Sequence, residues 1–204
     1  MTWKILSIAM LCCCSLPAWA ADAWCSSRET PALTFAWQPK NQADPTLGSV
    51  QVKDASGTIV QVIENLENYH GDSELLRTST DLNNDGCADL VVTYDLAAIG
   101  NESAKAFLYN PNTRQFDFSK ALSDIGGLDL DPLDKRCVTG TWKGGEADMV
   151  STRHCWSKGK LLIDSEHDVS ARYNREGEFQ CYLHVETHYR GGKKRKRTSC
   201  TQTF

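Results

Sequence analysis

Apolar and β-branched residues alternate with polar ones along most of the chain, and clusters of Gly, Asn and Asp interrupt the alternation at short intervals. A period of two puts successive side chains on opposite faces of a strand, so the pattern predicts hairpins rather than helices. Residues 49–53 and 59–63 flank the turn Asp54-Ala55-Ser56-Gly57. Residues 75–80 lead into an acidic loop, and residues 90–94 leave it as a continuous apolar strand. Residues 106–109 and 115–118 enclose Asn110-Pro111-Asn112-Thr113, a run of turn formers.

The second half repeats this with longer strands at 138–142, 147–156, 161–173, 179–190 and 193–204. Turns at 143–145, 157–159, 174–177 and Gly191-Gly192 join them into four successive antiparallel strands and a closing fifth. Helical periodicity is weak, with a short helical turn expected at 119–124 and another at 96–103. The expected architecture is an all-β antiparallel meander, propeller-like or sandwich-like, in one domain at 21–204.

The ends place this domain. Lys4, an apolar run over 5–16 and Ala18-Trp19-Ala20 make residues 1–20 a secretory signal peptide with an Ala-x-Ala cleavage site. The run is shorter than the roughly 20 residues of a membrane span. A lipid anchor on Cys12, Cys13 or Cys14 competes, but Ala9, Met10 and Leu11 do not make the small-residue pattern such processing prefers. The expected location is the periplasm, as a monomer without a membrane span.

The full chain has 22 basic and 26 acidic residues. The signal removes one lysine, which leaves 21 basic against 26 acidic. Three of the nine cysteines lie in the signal, and Cys25, Cys87, Cys137, Cys155, Cys181 and Cys200 remain. An even number in an exported chain implies disulfides, and no Cys-x-x-Cys spacing supports zinc.

The most specific motif is Asp81-Leu82-Asn83-Asn84-Asp85-Gly86-Cys87-Ala88-Asp89. Asp81, Asn83, Asp85 and Asp89 supply side-chain oxygens at positions one, three, five and nine, and Cys87 offers its carbonyl at position seven. A hard cation takes about six to eight oxygens, so the spacing points to calcium, with Gly86 permitting the sharp turn. Position twelve is Val92 rather than the bidentate Glu of an EF-hand, and both flanks read as strands. A metal here would fix two strands instead of switching helices. The other reading is a solvated Asp/Asn turn.

With residues 80–90, Phe107-Leu108-Tyr109-Asn110-Pro111, and Gly144-Gly145 followed by strands through Gly159-Lys160-Leu161-Leu162, the chain resembles a family of periplasmic immunity proteins. The resemblance spans roughly residues 75–190. It implies a vestigial β-propeller fold with an FG-GAP-like calcium loop. It also implies inhibition of lysozyme-type peptidoglycan hydrolases delivered by antibacterial secretion systems. The cysteine richness and the basic last hairpin depart from that pattern.

That hairpin, residues 188–198, carries Arg190, Lys193, Lys194, Arg195, Lys196 and Arg197 around its glycines, beside Tyr189. Outside these six, 15 basic residues face 26 acidic ones, so the field is lopsided. Charges on both faces of a strand keep it in solvent and guard an edge. As a prong, Tyr189, Arg190, Lys193 and Arg195 would meet an acidic surface or the carboxylate pair of a glycosidase cleft. Lys143-Gly144-Gly145-Glu146 is the second candidate prong. A solvated edge strand and an ordinary turn are the plain alternatives. Cys181 and Cys200 lie on strands joined by the basic hairpin, and Cys137 and Cys155 flank the Gly144 turn. This arrangement leaves Cys25 for Cys87, although six cysteines allow 15 connectivities.

No nucleophile elbow, phosphate loop or His-Glu-x-x-His stands in the chain. His70, His154, His167, His184 and His188 fit no catalytic or zinc spacing, and Asp129, Asp131 and Asp134 read as a solvated loop before a second cation site. Asn101-Glu102-Ser103 fits a glycosylation acceptor. Nucleic acid is not expected, since aromatics do not interleave the basic run. Two functions follow: a non-catalytic inhibitor that inserts loops into a lysozyme-like hydrolase, or a calcium-stabilised exported module that holds an acidic polymer or envelope component by its basic hairpin.

Overall fold

The computed structural model describes residues 24–26, 32–145 and 147–204, so the signal peptide expected at 1–20 and Glu146 of the expected Gly144 prong lie outside the described residues. Three antiparallel sheets follow one another along the chain. The first holds β1 (Thr34–Pro39), β2 (Leu47–Lys53) and β3 (Ile59–Glu67) in that order. The second holds β4 (Leu76–Thr80), β5 (Asp89–Leu96), β6 (Glu102–Asn110) and β7 (Gln115–Phe118). After the one-turn helix α1 (Lys120–Ser123), the third sheet comprises six strands. They are β8 (Asp129–Leu130), β9 (Cys137–Lys143), β10 (Asp148–Ser157), β11 (Lys160–Tyr173), β12 (Phe179–Arg190) and β13 (Lys193–Thr201).

The all-β hairpin meander is therefore the observed fold, and no barrel or propeller closes among the described residues. The helical turn expected at 119–124 forms. The one expected at 96–103 does not: β5 runs to Leu96, β6 starts at Glu102, and Ala97 N–H to Asn101 C=O closes a hairpin turn instead. The last strand ends at Thr201, three residues short of the expected 204.

Two apolar clusters hold the sheets together. Trp37, Val50, Val52, Ile63 and Leu66 of the first sheet meet Leu90, Val92, Phe107, Tyr109 and Phe116 of the second. Leu82, Val91, Ala106, Leu122, Ile125 and Leu128 meet Val138 of the third, with Trp156 and Leu161 packed against them. Polar side chains complete the joins. The Gln61 amide donates to Phe116 C=O and its oxygen accepts from Phe116 N–H, so this side chain pairs with β7 as a strand backbone would.

Candidate calcium loop and partner-facing turns

Loop 81–89 lies where the three sheets meet. Cys87 is bonded to Cys25, and Trp24 Nε1 donates to Ala88 C=O at 2.8 Å, which ties the loop to the start of the described chain. Trp156 Nε1 of β10 donates to Leu82 C=O at 2.7 Å and ties it to the third sheet. Asp89 is fully buried and accepts from Leu82 N–H at 2.7 Å and from Tyr109 N–H at 2.9 Å. Burial pushes its carboxyl up to about 7 against the pull of those two N–H groups, and the charges of Asp85 and Asp81 raise it further.

The outer part of the loop is shaped by its own backbone. Asp81 accepts from Asp85 and Gly86 N–H, Asn83 Oδ1 from Asp85 N–H, and Asp85 Oδ1 from Cys87 N–H. Gly86, at φ 88°, makes the reversal these bonds require. Three carboxylates thus converge on one turn, and among the described residues none of them has a cationic partner within 4 Å. Each carboxylate oxygen keeps a free lone pair beside its N–H bond. An all-oxygen set with uncompensated negative charge suits a hard divalent cation. Val92 is fully buried in β5, so a twelfth-position ligand does not exist. The group of three acidic or histidine side chains with ligand atoms within 4.8 Å of one another lies elsewhere, at the exposed His70, Asp72 and Glu74.

The two glycine turns are separate structures. The Gly144 turn begins where β9 ends and β10 starts, level with Ser170 of β11 and Leu183 of β12. The Gly191 turn follows Arg190, seven residues further along β12, or about 23 Å at 3.3 Å per residue. The two candidate prongs therefore cannot enter one narrow cleft side by side.

The Gly144 turn is clamped. The Asn101 side chain is buried, donates from Nδ2 to Lys143 C=O and accepts at Oδ1 from Lys143 N–H, both at 2.8 Å. The Trp142 indole lies against Gly126, and Gly144 N–H donates to Asp148 C=O at 2.9 Å. Its amide being spent on Lys143, Asn101 cannot serve as the glycan acceptor its sequence motif suggests. Beside the turn lies an aromatic group that the sequence reading missed. Tyr173, Phe179, Tyr182 and Phe204 pack ring against ring in series with centroids 6.0, 4.9 and 5.2 Å apart, the first and last pairs edge to face and the middle pair tilted. Tyr173 is 58% and Phe204 55% exposed. Cross-strand pairing at the β11–β12 turn was the signal available, since Tyr173 and Phe179 face each other across it.

The basic hairpin turns on Gly191 and Gly192, at φ 56° and 74°, as a two-residue loop requires. Arg190 pairs with Lys193 and His188 with Arg195, so these side chains share one face. Tyr189 pairs with Lys194 on the other face, with Lys194 Nζ 5.4 Å from its ring centroid. The expected binding set of Tyr189, Arg190, Lys193 and Arg195 is thereby split between two faces.

The three disulfides are Cys25–Cys87, Cys137–Cys155 and Cys181–Cys200. The last two close the ends of their ladders away from the glycine turns. The Asp131 and Asp134 carboxylates are met by arginine: Arg153 pairs with Asp131, Asp134 and Asp164, and Arg136 with Asp134. His167 and His184 stack, with Nε2 to Nδ1 at 3.1 Å, and His184 reaches the Thr201 hydroxyl.

No family model matches the chain, and no curated protein matches it. Among solved structures it is similar to one described as a Xanthomonas type IV secretion system related protein, at a TM-score of 0.54 and 15% identity. That likeness covers 88% of this chain and 98% of the other. At this identity it shows a shared fold, carried through nearly the whole length of both chains.

Proposed function

We propose that this chain is an exported inhibitor of a lysozyme-type peptidoglycan hydrolase, acting by presenting the Gly144 turn to the enzyme's cleft. Its calcium loop would stiffen the scaffold. The observation that carries this reading is the Asn101 clamp. Lys143, the β9 residue that opens the turn, is held at both its backbone N–H and C=O, so the entry to the turn is fixed before a partner arrives, with the exposed Tyr173, Phe179 and Phe204 on the neighbouring strands. Preordered loops lose little entropy on docking, and aromatic side chains dominate the energetics of protein interfaces. Three disulfides suit an oxidising compartment, and among the described residues no helix is long and apolar enough to cross a membrane.

Calcium, in this proposal, is held by Asp81, Asn83, Asp85 and the Cys87 carbonyl, with Asp89 pinning the loop from beneath. The ion would supply positive charge to three converging carboxylates. The chain's own residues do the rest: Trp156 joins that loop to the third sheet, Tyr109 N–H joins Asp89 to the second, and Cys25 and Cys87 pack with Trp37, Val50 and Val52 of the first. Gel-filtration co-elution with a lysozyme-type hydrolase, with and without a chitin oligosaccharide filling its cleft, tests the reading. A complex that the oligosaccharide dissociates is the expected result. Co-elution indifferent to it would refute insertion into the cleft.

A further inference from the structure

On one face of the third sheet two neighbouring cross-strand rows are polar throughout, while the next row of that face turns apolar at Met149 and the buried Val169. The opposite face carries Val138, Trp156 and Leu161 into the second apolar cluster. Cross-strand register orders the open face into two transverse rows. One runs Thr139, Arg153, Ser165, His188, Arg195, and the next runs Thr141, Ser151, His167, Glu186, Arg197. Over five strands spaced about 4.8 Å apart, these rows span about 19 Å. They floor a depression of about 500 Å³ that continues, through His188, into a recess of about 380 Å³ lined by Arg190, Lys193 and Arg195.

The two ends of this face differ in charge. At the β9 end of the two rows Arg153 is already neutralised by Asp131, Asp134 and Asp164, and the remaining side chains of the rows on β9 and β10 are hydroxyls. At the β13 end Arg190, Lys193, Arg195 and Arg197 are exposed, opposed on that face by Glu186 alone, which sits directly across from Arg197. The rest of the protein is acidic, so this is a local reversal of sign.

We propose that this open face binds an acidic polysaccharide, its hydroxyls on the Ser/Thr/His rows and its carboxylates or phosphates on the arginines of the β12–β13 ribbon. Apart from the imidazoles of His167 and His188, the two rows carry only hydroxyl and charged side chains, so they lack the apolar centre of a protein interface and the row of broad rings that single-stranded nucleic acid stacks on. Closely spaced hydroxyls and imidazoles can each donate and accept, which matches a polyhydroxylated ligand. Thr141 and Ser151 stand two residues along the ladder from the Lys143–Met149 pair at the foot of the Gly144 turn, but polysaccharide binding on this face does not depend on the inhibitor reading.

The test is affinity electrophoresis of the mature chain in gels containing polygalacturonate, a phosphomannan or neutral dextran. Retardation by either acidic polymer and not by dextran is expected, and the polymer that retards identifies the anionic group. Two variants locate the site. R190S/R195S removes charge, and T141V/S151V removes hydroxyls without changing charge, while circular dichroism confirms the fold of each. Both should weaken retardation, the first at least tenfold and the second about threefold. Equal retardation by dextran, no retardation by either acidic polymer, or full binding by T141V/S151V would overturn the proposal, the last by reducing it to nonspecific charge.

Discussion

Replacing Asn101 by alanine tests how the Gly144 turn is held. The side chain is 4% exposed and makes two hydrogen bonds of 2.8 Å to one residue's backbone. A net worth near 1 kcal/mol for each bond gives a loss of about 2 kcal/mol. Any Lys143 backbone group that water cannot reach in the variant would raise the loss further, so the figure is a lower bound. For a chain of this size, about 2–4 °C per kcal/mol turns that into a fall in Tm of roughly 4–8 °C. N101D should do no better than N101A, since a carboxylate oxygen would face Lys143 C=O where the amide donated. Thermal unfolding followed by circular dichroism reads both. If the turn is what docks, N101A should also lose roughly three- to tenfold in affinity for the hydrolase, the cost of ordering it on binding. An N101A protein that melts within 1 °C of the wild type would refute the clamp.

Calcium should raise Tm and a chelator should return it, by about 2.7 kcal/mol of added stability when the ion is at a hundred times its Kd. D81N and D85N should each abolish that response, and identical melting curves in calcium and chelator would refute the metal reading. Removing the Cys25–Cys87 bond by C25S/C87S opens a loop of 62 residues and should cost about 4 kcal/mol by chain entropy, measured by denaturant titration. Acid should weaken the join around Arg153. The Arg136 hydrogen bonds hold Asp134 at about 2, below its ordinary 3.8. Burial opposes the same trend at Asp131, yet Arg153 carries it below the usual range. Depressed carboxyls add stability above the unfolded value and lose it as pH falls from about 4 toward 2. R136M should flatten the part of that slope due to Asp134 and R153M the part due to Asp131, and a slope unchanged in both variants would contradict the assignment.

Strands with a strict period of two and glycine turns at their ends were legible from residue order, because both signals are local. β10 to β13 fall within a few residues of their expected bounds for that reason. The cysteine pairing followed from the same hairpins, since two bonds join neighbouring strands. β1 was not expected: Thr34–Pro39 acquires its place only by pairing with β2 and by Trp37 packing into the first cluster. β8 is two residues long and has no pattern to read. The helix expected at 96–103 failed because Asn101, an indifferent helix former, is recruited by a strand 42 residues away. The separation of the glycine turns and the two rows of the open face exist only once register is set. Tyr189 was grouped with Arg190 by adjacency, although adjacent strand residues face opposite ways.

Titrating the chain into a suspension of peptidoglycan being cleared by a lysozyme-type hydrolase addresses the central claim most directly. The expected trace is a clearing rate that falls in proportion to added protein and reaches its floor near equimolar ratio. A rate unchanged at tenfold excess, across such enzymes including one encoded beside this chain, would contradict it.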